Sequence, residues 1–170
     1  MAEFRYIAFL SYSHRDRQIA EWLHRELETY RVPKRMIGTA TPLGPVPARL
    51  HPIFKDREEL SAAGSLNAAI KNALGSASAL IVVCSPASAA SPWVNEEIRN
   101  FKQLNGDARV FAVIAGGEPW ASRIPGQEEQ ECFPRRCALW SLPTVRSLMS
   151  LPSPSLPTCG RKETARGSAS

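Results

Sequence analysis

The stretch Ser85-Pro-Ala-Ser-Ala-Ala-Ser-Pro-Trp-Val-Asn-Glu-Glu-Ile-Arg-Asn-Phe101 decides how this chain folds. It follows Ala79-Leu-Ile-Val-Val-Cys84, a short apolar run that reads as a buried strand. Small and hydroxyl residues then carry the chain off the sheet edge. Ser91 is placed to cap a helix, and Pro92 suits its first position. Val94, Ile98, Phe101 and Leu104 recur at helical spacing, which predicts a core-facing stripe. Trp93 and Glu97 are four residues apart and lie side by side near the helix start. An indole beside a carboxylate, at the carboxyl end of a parallel strand, is where open α/β sheets hold ligands. Taken alone, the pair is more simply a half-buried Trp next to a solvated Glu.

Working outward, Tyr6-Ile-Ala-Phe-Leu-Ser-Tyr12 is apolar nearly throughout, the pattern of a strand buried on both faces. A polar turn, Ser11 to Arg15, leaves its carboxyl end, and Asp16 falls in the first turn of a helix. Ile19, Leu23, Leu27 and Tyr30 predict that helix's apolar stripe, ended by Val32-Pro33. His14 and His24 have no partner pattern and read as solvated. Residues 33–52 hold five Pro and two Gly with no period, a long surface connection. Ile53-Phe-Lys-Asp56 reads as a second strand and Arg57 to Gly64 as a loop of mixed charge. A helix from about Ser65, with Leu66, Ile70, Ala73 and Leu74 inward, ends at Gly75. Gly106 closes the Trp93–Glu97 helix, and Arg109 to Ala115 is a fourth strand. Strands alternating with helices predict a parallel sheet.

Composition narrows the classes further. The 170 residues are 44% hydrophobic, enough for one packed domain. No apolar run nears the ~20 residues of a membrane helix, and the start lacks a signal-peptide pattern. The expectation is therefore a cytoplasmic protein without a membrane partner. The four cysteines show neither a CxxC pair nor His at zinc spacing, so no metal site is expected. Cys84, inside its strand, reads as a core thiol. The net charge of +5 is concentrated at the end: residues 136–170 carry +4, leaving 16 basic and 15 acidic side chains before them. No basic stripe with interleaved aromatics appears, which argues against a nucleic-acid groove. From Arg136 onward, seven Ser and four Pro fall among 35 residues without any period. The expected organisation is a domain over 1–135 and a low-complexity, disordered tail over 136–170.

Several chemistries are unsupported. No GxGxxG follows the first strand and no Walker lysine loop is present. The acids of a response regulator are replaced by Ser11-Tyr12-Ser13 and Ser85, and the GxSxG elbow of a serine hydrolase is absent. Ser85, Ser88 and Ser91 read as turn and capping hydroxyls.

Three segments together carry a family resemblance. Phe9-Leu-Ser-Tyr-Ser-His-Arg-Asp16 resembles the first-strand signature of Toll/interleukin-1 receptor (TIR) domains of the bacterial type. Phe54-Lys-Asp56 with Leu60, Gly64, Ser65 and Leu66 resembles their second strand and BB loop. Leu80 to Ser85 with Ser91-Pro-Trp-Val-Asn-Glu-Glu97 resembles their third strand and Ser-x-Trp-x-x-x-Glu helix. The resemblance covers roughly residues 5–116 and implies a flavodoxin-like α/β fold, a parallel five-stranded sheet flanked by helices. It implies NAD as a substrate, cleaved at the nicotinamide–ribose bond, with no further cofactor. It casts Glu97 as the catalytic carboxylate and Ser11, Tyr12, Ser13, Lys55, Asp56 and Trp93 as substrate-binding residues. The BB loop implies self-association, or association with other TIR domains, in signalling or defence. The fifth strand and last helix are not legible between residues 132 and 170, as in a truncated chain or one read out of frame at its end. The competing readings are a non-catalytic TIR interaction module and, more remotely, an enzyme acting on free nucleosides.

Overall fold

A computed structural model of the chain describes residues 4–55 and 68–137. A four-stranded parallel sheet forms its centre. In chain order the elements are β1 (Ala8–Ser11), α1 (Arg17–Thr29), the short strands β2 (Ala40–Thr41) and β3 (Gly44–Pro45), and β4 (Ile53–Lys55). Then come α2 (Ala68–Gly75), β5 (Leu80–Cys84), α3 (Pro86–Ala90), α4 (Pro92–Asn105) and β6 (Val110–Ile114). The sheet order is β4-β1-β5-β6, with Phe9 opposite Phe54 on one side and Leu80 on the other. This is the flavodoxin-like α/β arrangement expected from the sequence. The chain passes from β1 to one edge, then returns to add β5 on β1's other side. The carboxyl ends of β1 and β5 therefore flank the point where the strand order reverses.

The central strands β1 and β5 are apolar nearly throughout because both of their faces are covered, whereas the edge strand β6 exposes Phe111 and Ile114. On one face, Phe9, Leu80 and Val82 pack with Ile70 and Leu74 of α2 and Val94, Ile98 and Phe101 of α4. On the other, Ala8, Leu10, Tyr12 and Val83 pack with Ala20 of α1, against which Leu23 and Leu27 also lie. Burying a large aliphatic or aromatic side chain contributes about 1.5–3 kcal/mol each, so these stripes fix the helices to the sheet.

Three expected core positions differ. Ile19, Tyr30 and Leu104 are exposed, Leu104 by 58%. The buried face of α1 centres on Ala20, Leu23 and Leu27, and Ile19 sits about 100° around from Ala20. Tyr30 lies past the end of α1, and Leu104 lies at the last turn of α4, beside Gly75 at the end of α2. His24 is not solvated either: its Nε2 lies 3.0 Å from the Ile53 carbonyl and 3.6 Å from Glu28 Oε1. Glu28 in turn accepts the Ile53 amide at 3.0 Å, so α1 holds the start of β4 through two polar contacts.

The long Pro-rich connection is built around the β2–β3 hairpin, with Arg31 bridging to Arg49 at its base. At the other end of the described chain, Cys132, Phe133 and Cys137 enter the main core. Arg136 donates its amide to Asn95 Oδ1 at 3.1 Å. Of the expected tail, residues 138–170 lie outside the described residues, as do Asp56 and the BB-loop positions Arg57 to Gly64.

Cys84, Cys132 and Cys137 are buried, unbridged thiols. A hydrogen bond with Cys137, followed by burial, pushes the Cys84 thiol far up, and burial with nearby Glu131 raises Cys132 to about 11. The thiolate is the nucleophile. In the native protein at pH 8, iodoacetamide is therefore expected to leave all three unmodified, and denaturant to expose all three. Peptide mass spectrometry reads the outcome. Native-state labelling of Cys84 or Cys137 would contradict this packing.

Candidate functional site

Two loops build the site, each leaving the carboxyl end of a central strand. After β1, Ser13 leads into a single helical turn, His14–Asp16, which runs into α1. After β5, Ser85 caps α3: it accepts the Ser88 amide while the Ser88 hydroxyl accepts the Ser85 amide. The reciprocal bonds satisfy donors that a helix start otherwise leaves open. Ser91 closes α3 and opens α4, accepting the Val94 amide, with Pro92 in the first position of α4. The three hydroxyls are thus capping groups, as expected.

The two loops are tied together by one contact. Ser85 Oγ donates to Asp16 Oδ2 at 2.6 Å, joining the turn after β1 to the start of α3. Between them opens a cleft of about 490 Å³. Ser13, His14 and Arg15 line one wall. Pro86, Ala87, Ala90, Ser91 and Trp93 line the other. Among the described residues that line it, only His14 and Arg15 can carry positive charge, and none is a carboxylate.

Glu97 lies one helical turn beyond Trp93 on the same side of α4 and is buried, 4% exposed. Its Oε2 accepts a hydrogen bond from Ser11 Oγ at 2.5 Å. A buried carboxylate costs several kcal/mol unless paired, and the last residue of β1 supplies a partner. Glu96 differs in every respect: it is partly exposed, with Arg99 Nη2 at 2.5 Å and Asn100 Nδ2 at 3.1 Å from its Oε1. Of the two neighbouring carboxylates, Glu97 is therefore the buried one, held next to Ser11 and not among the residues that line the cleft.

The structure brings four of the expected residues together: Ser11 with Glu97, and Ser13 with Trp93. Tyr12 is elsewhere. It is 8% exposed and packs with Leu10 and Ala20 on the α1 face of the sheet. Lys55, at the carboxyl end of β4, lies 3.8 Å from Glu21 Oε1 and does not line the cleft. Asp56 lies outside the described residues. Sequence reasoning left out His14, Arg15 and the Asp16–Ser85 bond. The signal available for His14 and Arg15 was their place in the polar turn directly after a buried strand.

A third segment braces the cleft from behind. Gly117, just past β6, lies against Pro86, and Glu118 donates its amide to Gln130 O at 2.7 Å. Glu131 Oε1 accepts the amides of Phe133 and Trp120, and its Oε2 accepts the Ser122 hydroxyl. Burial alone would raise that carboxyl, but these donors outweigh it and hold it below its usual range.

The profile of the TIR domain family matches residues 8–130. The chain belongs to the TIR domain family. A curated relative, NAD(+) hydrolase ApTIR of Actinoplanes sp. (strain ATCC 31044 / CBS 674.73 / SE50/110), is 33% identical over 115 residues. That stretch is 67% of this TIR chain but only 14% of the relative, so the chain spans a small part of the relative's length. Among the described residues, no helix is long and apolar enough to cross a membrane.

Proposed function

We propose that this TIR domain hydrolyses NAD at the nicotinamide–ribose bond, as a cytoplasmic protein that acts when self-associated in signalling or defence. The observation that carries the reading is the Ser11–Glu97 pair beside the Trp93 cleft, at the strand-order reversal. The relative's name, NAD(+) hydrolase, supplies the substrate. The chemistry suits one carboxylate. The C1′–N bond breaks with its electron pair going to the pyridinium nitrogen, so nicotinamide leaves neutral and needs no general acid. Water then adds to C1′ and loses a proton. A carboxylate close to the ribose opposes the positive charge that develops at C1′ and orients the ribose hydroxyls. Trp93 offers an apolar wall to the ribose–nicotinamide end, and the Ser11 hydroxyl holds Glu97 in place. Ser13 at the cleft wall completes the substrate contacts; Lys55 and Asp56 belong to the same reading through the BB loop.

A second reading is favoured by the burial of Glu97. Packed against Ser11 and outside the cleft lining, it also serves as a structural carboxylate in a non-catalytic interaction module. Nicotinamide release from NAD by purified protein at high local concentration separates the two. Release above the no-protein rate supports hydrolysis, and its absence in an assembled, folded sample leaves the module.

A further inference from the structure

The segment that crosses the end of the sheet opposite the cleft carries one sign of charge. From Thr29 to Lys55 the sequence holds five Lys or Arg and no Asp or Glu. Lys55 is engaged with Glu21 at the cleft end. The other four, Arg31, Lys34, Arg35 and Arg49, are exposed and form no ion pair among the described residues. They flank the β2–β3 hairpin in sequence, and the hairpin shares a groove with Phe4, Ile7 and Ser78 just before the amino ends of β1 and β5. Arg5 is exposed in the same region. Among the described residues, acids near it on α1 are Glu26, which is exposed, and Glu28, which is taken up by Ile53 and His24.

The same segment also presents aliphatic side chains to solvent. Leu43, in the hairpin turn, is 50% exposed, with Met36 at 47% and Ile37 at 42%. Leu43 also lines an apolar groove of about 630 Å³, with Val46, Pro47 and Leu50 among others. A segment that exposes three large aliphatics, flanked in sequence by cations with no ion pair among the described residues, is not explained by packing among those residues.

We propose that this hairpin end docks on an anionic lipid surface. A bilayer of acidic headgroups has one sign of charge and hydrocarbon beneath, and the hairpin has the matching pair of features. Each Lys or Arg near such a surface contributes on the order of 1 kcal/mol of attraction, and the aliphatic tips add burial at the headgroup boundary. An acidic protein patch would match the cations alone, whereas the aliphatic tips beside them also match the hydrocarbon beneath a headgroup layer. A nucleic-acid groove interleaves its cations with aromatic stacking platforms, and residues 31–50 contain no aromatic side chain. Docking by this end leaves the cleft, at the opposite ends of the strands, facing away from the lipid.

The test is co-sedimentation of the full chain with vesicles of phosphatidylglycerol and phosphatidylcholine, against vesicles of phosphatidylcholine alone. Binding is expected to the first and not the second, and to weaken about tenfold or more between roughly 0.05 M and 0.5 M salt. The double variant Lys34→Glu/Arg35→Glu is expected to lose binding at least about tenfold, and Leu43→Ser/Ile37→Ser severalfold, with unchanged melting temperatures because all four positions are exposed. The control is Arg123→Glu/Arg135→Glu, which makes the same charge change at exposed positions near the cleft end. It is expected to bind as wild type does. Equal loss in the two charge-reversed variants would mean that net charge alone is read, and would overturn the proposal. So would absence of binding to the anionic vesicles, or tighter binding by the wild type to duplex DNA, to poly-glutamate or to a second copy of itself at the same salt. The readout is lipid-bound mass, so it stands or falls apart from any action on NAD.

Discussion

Glu97→Gln is expected to stay folded and to lose nicotinamide release by about 10²–10³-fold, roughly 3–4 kcal/mol, while Glu96→Gln stays near wild type. The asymmetry follows from where α4 puts two neighbouring carboxylates. Glu97 is buried against Ser11 at the carboxyl end of β1. Gln at this position keeps the volume, and its amide oxygen can still accept the Ser11 hydroxyl. What disappears is the charge, which is the property that opposes the developing cation. The loss should therefore fall on turnover and leave apparent affinity nearly unchanged. Glu96 points about 100° around the helix and spends its charge on Arg99 at the surface. Exposed pairs of that kind contribute about 0–1 kcal/mol to stability and nothing to the cleft. Ser11→Ala supplies an intermediate case: the charge stays but its orienting donor goes, so a smaller loss is expected. Melting curves on all three variants guard against misfolding. Equal release by the Glu97 and Glu96 variants would remove the catalytic reading and leave the interaction module.

Why the sheet was legible is plain from its strands. Leu80 to Cys84 and Ala8 to Ser11 are buried on both faces, so each is a continuous apolar run bounded by turn residues. The ends of α4 were written locally too, by Ser91-Pro92 at the start and Gly106, with φ of +79°, at the finish. α3 was not. Pro86-Ala-Ser-Ala-Ala90 has no apolar period, and its start is set by the reciprocal Ser85–Ser88 capping bonds. The exposed Ile19 and Leu104 show the reach of a helical-spacing argument: it finds the side of a helix that is apolar, but not which of those positions a neighbouring element covers. Within the site, the Trp93–Glu97 pair was readable because both lie on one helix. The Ser11–Glu97 and Ser85–Asp16 bonds join residues 86 and 69 positions apart, and no local pattern reports such a contact. Tyr12 illustrates a rule that was available: neighbours along a strand point to opposite faces. With Ser11 turned to α4, Tyr12 turns to α1 and away from Glu97.

Gly117→Ala is expected to destabilise the domain by roughly 3 kcal/mol, from left-handed strain and overpacking together, and to lower its melting temperature by roughly 10 °C. Gly117 has φ of +80°, a region L side chains rarely adopt. A Cβ there would stand 2.6 Å from the Gln130 carbonyl oxygen and 2.8 Å from Pro86 Cδ. Neither neighbour can give way cheaply. The Gln130 carbonyl is held by the Glu118 amide, and Pro86 opens a helix fixed by the Ser85–Ser88 bonds. Gly126 provides the comparison, since its φ of +84° is nearly the same but nothing lies within 4 Å of its added Cβ. Gly126→Ala therefore measures the backbone cost by itself, about 1–2 kcal/mol, and the excess in Gly117→Ala measures the clash. The excess also has a direction. Pushing Pro86 away from Gly117 moves the wall that carries Ala87 and Ala90 and strains the Ser85–Asp16 bond that joins the two loops. Gly117→Ala should accordingly raise the KM for NAD at temperatures where the variant is still folded, while Gly126→Ala should not. Equal melting shifts in the two variants would show that the contact between the loop after β6 and α3 is not as close as its geometry requires.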